Sequence, residues 1–173
     1  LVLRGLIEGL RIELEVIEYY NPQSRPLARL LAESMELPCD SYRGPDRPDR
    51  ALLVMASAAD IIGPHDAFIE TSDQRIIFAY GLPVREPLPL VPDIVGCMID
   101  PCTMPWDEKA RGANLDKLIA SMLDKTRHLE LDTEILRQVQ DAVEYYDAKR
   151  ELLLCGNNDK FPERPEYTAE IPQ

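Results

Sequence analysis

Apolar and polar residues alternate from Arg11 to Ile17: Ile12, Leu14 and Val16 are separated by Glu13 and Glu15. A period of two predicts a half-buried strand over 11–17. Residues 2–9 fit either a strand or a helical stripe through Leu3, Leu6, Ile7 and Leu10. Asn21-Pro22 breaks the pattern. Ser24 then stands at a helix N-cap, with Pro26 in the first turn and Leu27, Leu30, Leu31 and Met35 recurring at helical spacing. The expected helix runs over 24–37 and ends at Pro38.

Further along, Ala51–Ala56 is a short apolar run that reads as a strand centred on Leu52-Leu53-Val54, and Ala58–Ile62 reads as a helical turn. Residues 67–80 read as a β-hairpin, with Phe68–Thr71 and Arg75–Tyr80 flanking the polar triplet Ser72-Asp73-Gln74. Six prolines between 83 and 105 exclude a continuous helix there and leave room for one short strand over 94–99.

The last third is helical in period. Asn114 precedes a stripe of Leu115, Leu118, Ile119 and Met122. A second helix starts near Asp132, carries Ile135, Leu136, Val139, Val143 and Tyr146, and is expected to stop at Gly156. Their closeness predicts an antiparallel helical hairpin. The expected architecture is therefore a single α+β domain over residues 1–156. A small mixed sheet with a β-hairpin packs on one N-terminal helix and the C-terminal helical hairpin. Residues 157–173, with Pro162, Pro165 and Pro172, form an extended tail.

Composition narrows the function more by exclusion than by indication. The 173 residues carry 31 acidic and 19 basic side chains, a net charge of −12 spread along the chain. Nucleic-acid binders need a basic footprint to neutralise phosphates, and anionic lipid surfaces repel an acidic protein. Neither is an expected partner; a protein partner is, a basic one if charge guides the contact, or a second copy of the chain. Glu8, Glu13, Glu15 and Glu18 interrupt any apolar run in residues 1–20, which do not read as a secretory signal. The expected setting is cytoplasmic or part of an intracellular assembly. Four cysteines are too few for a disulfide scaffold and read as reduced thiols.

Candidate chemistry is sparse. Cys97 and Cys102, with Asp100 between them, have a spacing that can grip a divalent metal if Cys39, Cys155, His65 or His128 adds further ligands. Glu13 and Glu15 would project from one face of a strand and could share a cation. The segment Ile12-Glu13-Leu14-Glu15 is similar to the opening strand of the glutamine-synthetase-like carboxylate–amine ligases, although Arg11 stands where that family places a small residue. The resemblance implies a magnesium ion held by the paired glutamates beside ATP. Eight scattered glycines form no phosphate loop, and neither serine hydrolase motif nor internal repeat is present. Arg43, Arg47 and Arg50 share a loop with Asp46 and Asp49, giving a mixed-charge surface. His65-Asp66 reads as loop packing. The tail offers Phe161, Tyr167 and Ile171 as proline-spaced anchors for a partner. On balance the sequence reads as a non-enzymatic interaction protein, a subunit or adaptor with no required cofactor. The alternative is a small metal-dependent enzyme using Glu13 and Glu15 or Cys97 and Cys102.

Overall fold

The computed structural model describes residues 1–44, 50–62, 75–83, 92–98, 115–127 and 132–148. Five parallel strands form one sheet: β1 (Val16–Tyr19), β2 (Cys39–Ser41), β3 (Ala51–Ser57), β4 (Arg75–Leu82) and β5 (Ile94–Met98). Their order is β2-β1-β3-β4-β5, and every pairing is parallel. Among the described residues four α-helices accompany them: α1 (Val2–Gly9), α2 (Arg25–Met35), α3 (Leu115–Arg127) and α4 (Thr133–Asp147). The architecture is mixed α/β.

Several sequence expectations are met. β3 is the fully buried run at its expected place, with Leu52, Leu53, Val54 and Met55 all inaccessible to solvent. α2 lies within the expected 24–37, and Glu36 closes it in the left-handed region (φ 57°) while Leu37 N–H donates to Ala32 O. The turn Ala58–Ile62 is a 3-10 helix. Asp132 caps α4 by accepting from the Glu134 N–H.

Three expectations are corrected. The mixed sheet with a hairpin is replaced by parallel pairing: β4 lies between β3 and β5, with Leu52 beside Ile76 and Phe78 beside Ile94. Residues 67–74, which supplied the first arm and turn, lie outside the described residues. Local polarity at 72–74 resembled a turn, but the apolar positions of β4 are satisfied by neighbours on both sides. Secondly, the N-terminal strand starts at Val16, not Arg11. Arg11, Glu13 and Glu15 are exposed and Ile12 and Leu14 half-buried, so the alternation is real while the strand pairing begins later. Thirdly, α3 packs on α2 and α4 on α1, in place of an antiparallel α3–α4 hairpin. The second helix ends at Asp147, and the tail at 157–173 lies outside the described residues.

The two sheet faces differ. On one, Ile17, Leu52, Val54 and Phe78 pack with Ile7 of α1 and with Ala28, Leu31 and Ala32 of α2. Leu118 and Met122 of α3 extend this layer onto Ala56 and Tyr80. On the other, Leu53, Met55, Ile77 and Ala79 pack with Ala58, Tyr20 and Tyr42. That second face also holds the buried pair Glu18 and Arg75. α1 approaches α4 closely because Gly5 and Gly9 carry no side chain. A Cβ on Gly9 would stand 2.5 Å from Val143 Cγ2, and one on Gly5 3.1 Å from Val139 Cγ1. The two helices therefore run parallel, with Gly5 level with Val139 and Gly9 with Val143.

Candidate functional site at the β1–β3 switch

Strand order 2-1-3-4-5 places the first connection to the left of β1 and later connections to its right. Right-handed crossovers then require connections on opposite faces of the sheet. α2 follows β1 on the face of Ile17, whereas Ala58 follows β3 on the face of Leu53. The chain thus diverges at the carboxyl ends of neighbouring strands, the topological switch point at which open α/β sheets bind ligands.

Side chains there form one connected network. Asn21, just beyond β1, donates from Nδ2 to Asp60 Oδ2 at 2.9 Å, joining the two diverging connections. Its Oδ1 accepts from the Ser24 N–H at 2.9 Å and from Ser24 Oγ at 2.7 Å. Ser24 Oγ in turn accepts from the Ala56 N–H of β3 at 2.9 Å. Ser24 occupies the N-cap position of α2, but its side chain makes no capping bond. It is fully buried and ties the start of the helix to β3. Ser57 Oγ accepts from the Ala59 N–H and shapes the turn that presents Asp60.

Electrostatics follow from partial burial. Desolvation pushes the Asp60 carboxyl above the ordinary aspartate range, while the hydrogen bond from Asn21 opposes the shift. Burial, and then the charge of Asp60, push the Tyr20 phenol upward. Tyr20 lies against Tyr42 with ring centroids 5.9 Å apart, and the Arg75 guanidinium carbon lies 5.5 Å from the Tyr42 centroid. A polar floor of Asn21, Ser57 and Asp60 thus borders an aromatic pair that leads inward to a buried cation. Such a set can exchange hydrogen bonds with a small polar molecule.

The residues singled out from the sequence fall elsewhere. Glu13 precedes β1 and pairs with Arg50; both glutamates lie outside the strand on which their shared face depended. Cys97 lies in β5 and donates from Sγ to Tyr80 O at 3.2 Å. Cys39, a potential further ligand, sits on β2 at the opposite edge of the sheet, four strand spacings or roughly 19 Å away. Burial raises its thiol pKa. Cys102, Cys155, His65, His128, Phe161, Tyr167 and Ile171 lie outside the described residues. Among the described residues no three His, Cys, Asp or Glu side chains converge on a metal position, and no helix is long and apolar enough to cross a membrane.

The sequence did not single out Asn21 or Asp60. The cue was a strand, a helix and a second strand in succession, but expecting a hairpin at 67–80 hid the parallel order that makes their meeting place a switch point.

No protein-family model matches the chain, and no curated protein matches its sequence. Among solved structures, a purine phosphoribosyltransferase from Pyrococcus horikoshii Ot3 is similar at a TM-score of 0.40 and 13% identity, over 57% of this chain and 83% of that one.

Proposed function

We propose that this chain is an α/β ligand-binding domain that takes a small polar molecule between the carboxyl ends of β1 and β3. The observation that carries this reading is the Asn21–Asp60 hydrogen bond, which bridges the two connections where they part. The bond presets the spacing of an amide and a carboxyl, a donor and acceptor pair suited to hydroxyl, amide or amine groups. Tyr20 and Tyr42 supply an apolar wall beside it.

The test is a thermal-shift screen of nucleosides, sugars, amino acids and small carboxylates against the wild type, Asn21→Ala and Asp60→Ala. The expected result is a compound that raises the wild-type melting temperature and shifts amide resonances near residues 20–24 and 57–60, with both effects lost in the two variants. A screen without a stabilising compound at millimolar concentration, or one whose compounds stabilise all three proteins equally, overturns the reading.

A further inference from the structure

α4 is held to the body of the molecule by a narrow seam. None of its 15 residues is buried; Val139, Ala142 and Val143 are half-buried and the others are exposed. The seam sets Val139 against Gly5 and Val143 against Gly9 of α1. The larger apolar side chains of α4 add little to it, since Leu136, Tyr145 and Tyr146 stay 50%, 54% and 41% exposed. Two valines on two glycines remove little apolar area from water, and the strength of attachment follows that area. α2, by comparison, buries Pro26, Ala28, Leu31 and Ala32.

Polar side chains of α4 bond along the helix itself. Arg137 pairs with Glu134 at 2.7 Å and with Asp141 at 3.2 Å, Gln138 donates to Glu134, and Gln140 donates to Glu144. Such pairs support a helix only slightly, and a helix of this length is marginal in water by itself. α4 therefore draws its helicity from the seam, and leaving the seam and unwinding are one event. α1 has anchors of its own. Ile7 is buried in the core with Leu31 and Leu52, Leu3 packs against the same core, and Arg4 Nη1 donates to Ser34 O of α2 at 2.6 Å. These contacts do not involve α4, so its departure leaves α1 seated.

We infer that α4 is a detachable arm: in the folded protein it leaves α1 and unwinds in a local opening, while the sheet, α1 and α2 stay assembled. Release bares the Gly5 and Gly9 side of α1, a track shaped for a helix that presents valine at i and i+4. The arm is separate from the β1–β3 crevice, and its test does not depend on that reading.

The experiment is native-state hydrogen exchange on the full chain, from zero urea to the foot of the unfolding transition. The expected result is that amides of residues 137–147 exchange about a hundredfold faster than those of Leu52, Leu53 and Val54, through an opening that hardly responds to urea. The amides of Leu6 and Ile7 should stay slower than those of α4. Val139→Ala combined with Val143→Ala should speed exchange in α4 by about a further tenfold, with Leu52, Leu53 and Val54 still slow. The wild-type measurement decides the matter alone if that variant does not fold. A common rate and a common urea dependence for α4 and β3 would mean that α4 opens only when the whole chain unfolds, and overturns the inference. So does joint opening of α1 with α4, and so does a double variant whose α4 keeps its wild-type protection, because the seam would then not be what holds it.

Discussion

Arg75 Nε lies 2.7 Å from Glu18 Oε2, and neither side chain has any solvent exposure. The two residues stand on strands separated by β3, two register positions apart, so the long arginine side chain reaches diagonally across Leu53. Arg75 also donates from Nη2 to Gly44 O at 3.1 Å, while Nη1 meets no acceptor among the described residues. The guanidinium therefore anchors the start of the connection from β2 to β3.

A buried pair of this kind costs most when half of it is removed. Arg75→Met and Glu18→Leu should each lower stability by about 3–5 kcal/mol in urea unfolding, because each leaves a charge without its counterion. The double variant should recover much of that loss, since an apolar pair of similar volume suits the surrounding face of Leu53, Met55 and Ile77. Additive losses in the double-mutant cycle would show that the two residues act independently.

The glycine seam makes a second coupled prediction. Gly9→Ala places a methyl against Val143 Cγ2. The overpacking cost of about 1–3 kcal/mol outweighs the gain in helix propensity of roughly 0.8–1 kcal/mol. Val143→Ala in the same chain should restore part of the loss, as read from paired denaturation curves. An unchanged midpoint in Gly9→Ala would mean that α1 and α4 separate without penalty.

Ser24 is expected to be more sensitive than an ordinary N-cap. Ser24→Ala removes the acceptor of the Ala56 N–H and a donor to Asn21. Losing a buried hydrogen bond of this kind costs about 0.5–1.5 kcal/mol. Amide exchange should accelerate at Ala56 specifically; slow exchange there would contradict the bridging role.

Asp60 gives a pH dependence of defined sign. Its folded-state pKa is raised by burial, so its protonated form is favoured by folding. That contribution is complete below the unfolded pKa and is lost as pH rises through the raised folded value. Asp60→Asn keeps an acceptor for Asn21 and removes the burden of a half-buried charge. It should melt higher than the wild type at neutral pH, at roughly 2–4 °C per kcal/mol for a chain of this size. The difference should shrink as pH falls through the Asp60 titration. A constant gap across that range would assign the effect to something other than ionisation.

What could be read from the sequence was local. The strand at 51–56, the helix between Ser24 and Pro38, a short strand within 94–99 and the helix start at Asp132 each follow from residues within one or two turns of the feature. Strand partners did not follow, because parallel pairing joins segments with no turn between them. Glu18 illustrates the limit. It read as a charge interrupting an apolar run, yet it is buried at the centre of a sheet face, and its counterion is fifty-seven positions away. Asn21 and Asp60 were obscured for the same reason, since only the strand order brings them together.

The parallel contact of α1 with α4 also bears on how the chain is made. α1 leaves the ribosome before β1–β5, and Gly5 and Gly9 give it a shallow track that Val139 and Val143 fill only once they have been synthesised. The strands and α2 can assemble in the interval, because their contacts lie earlier in the chain. The entropy of joining distant segments grows only logarithmically with the length between them, about 0.6 kcal/mol per doubling. The seam is therefore a late clasp: a nascent chain halted before α4 would hold its sheet with α1 docked through Ile7, while the Gly5 and Gly9 side of α1 stayed open to chaperones and proteases.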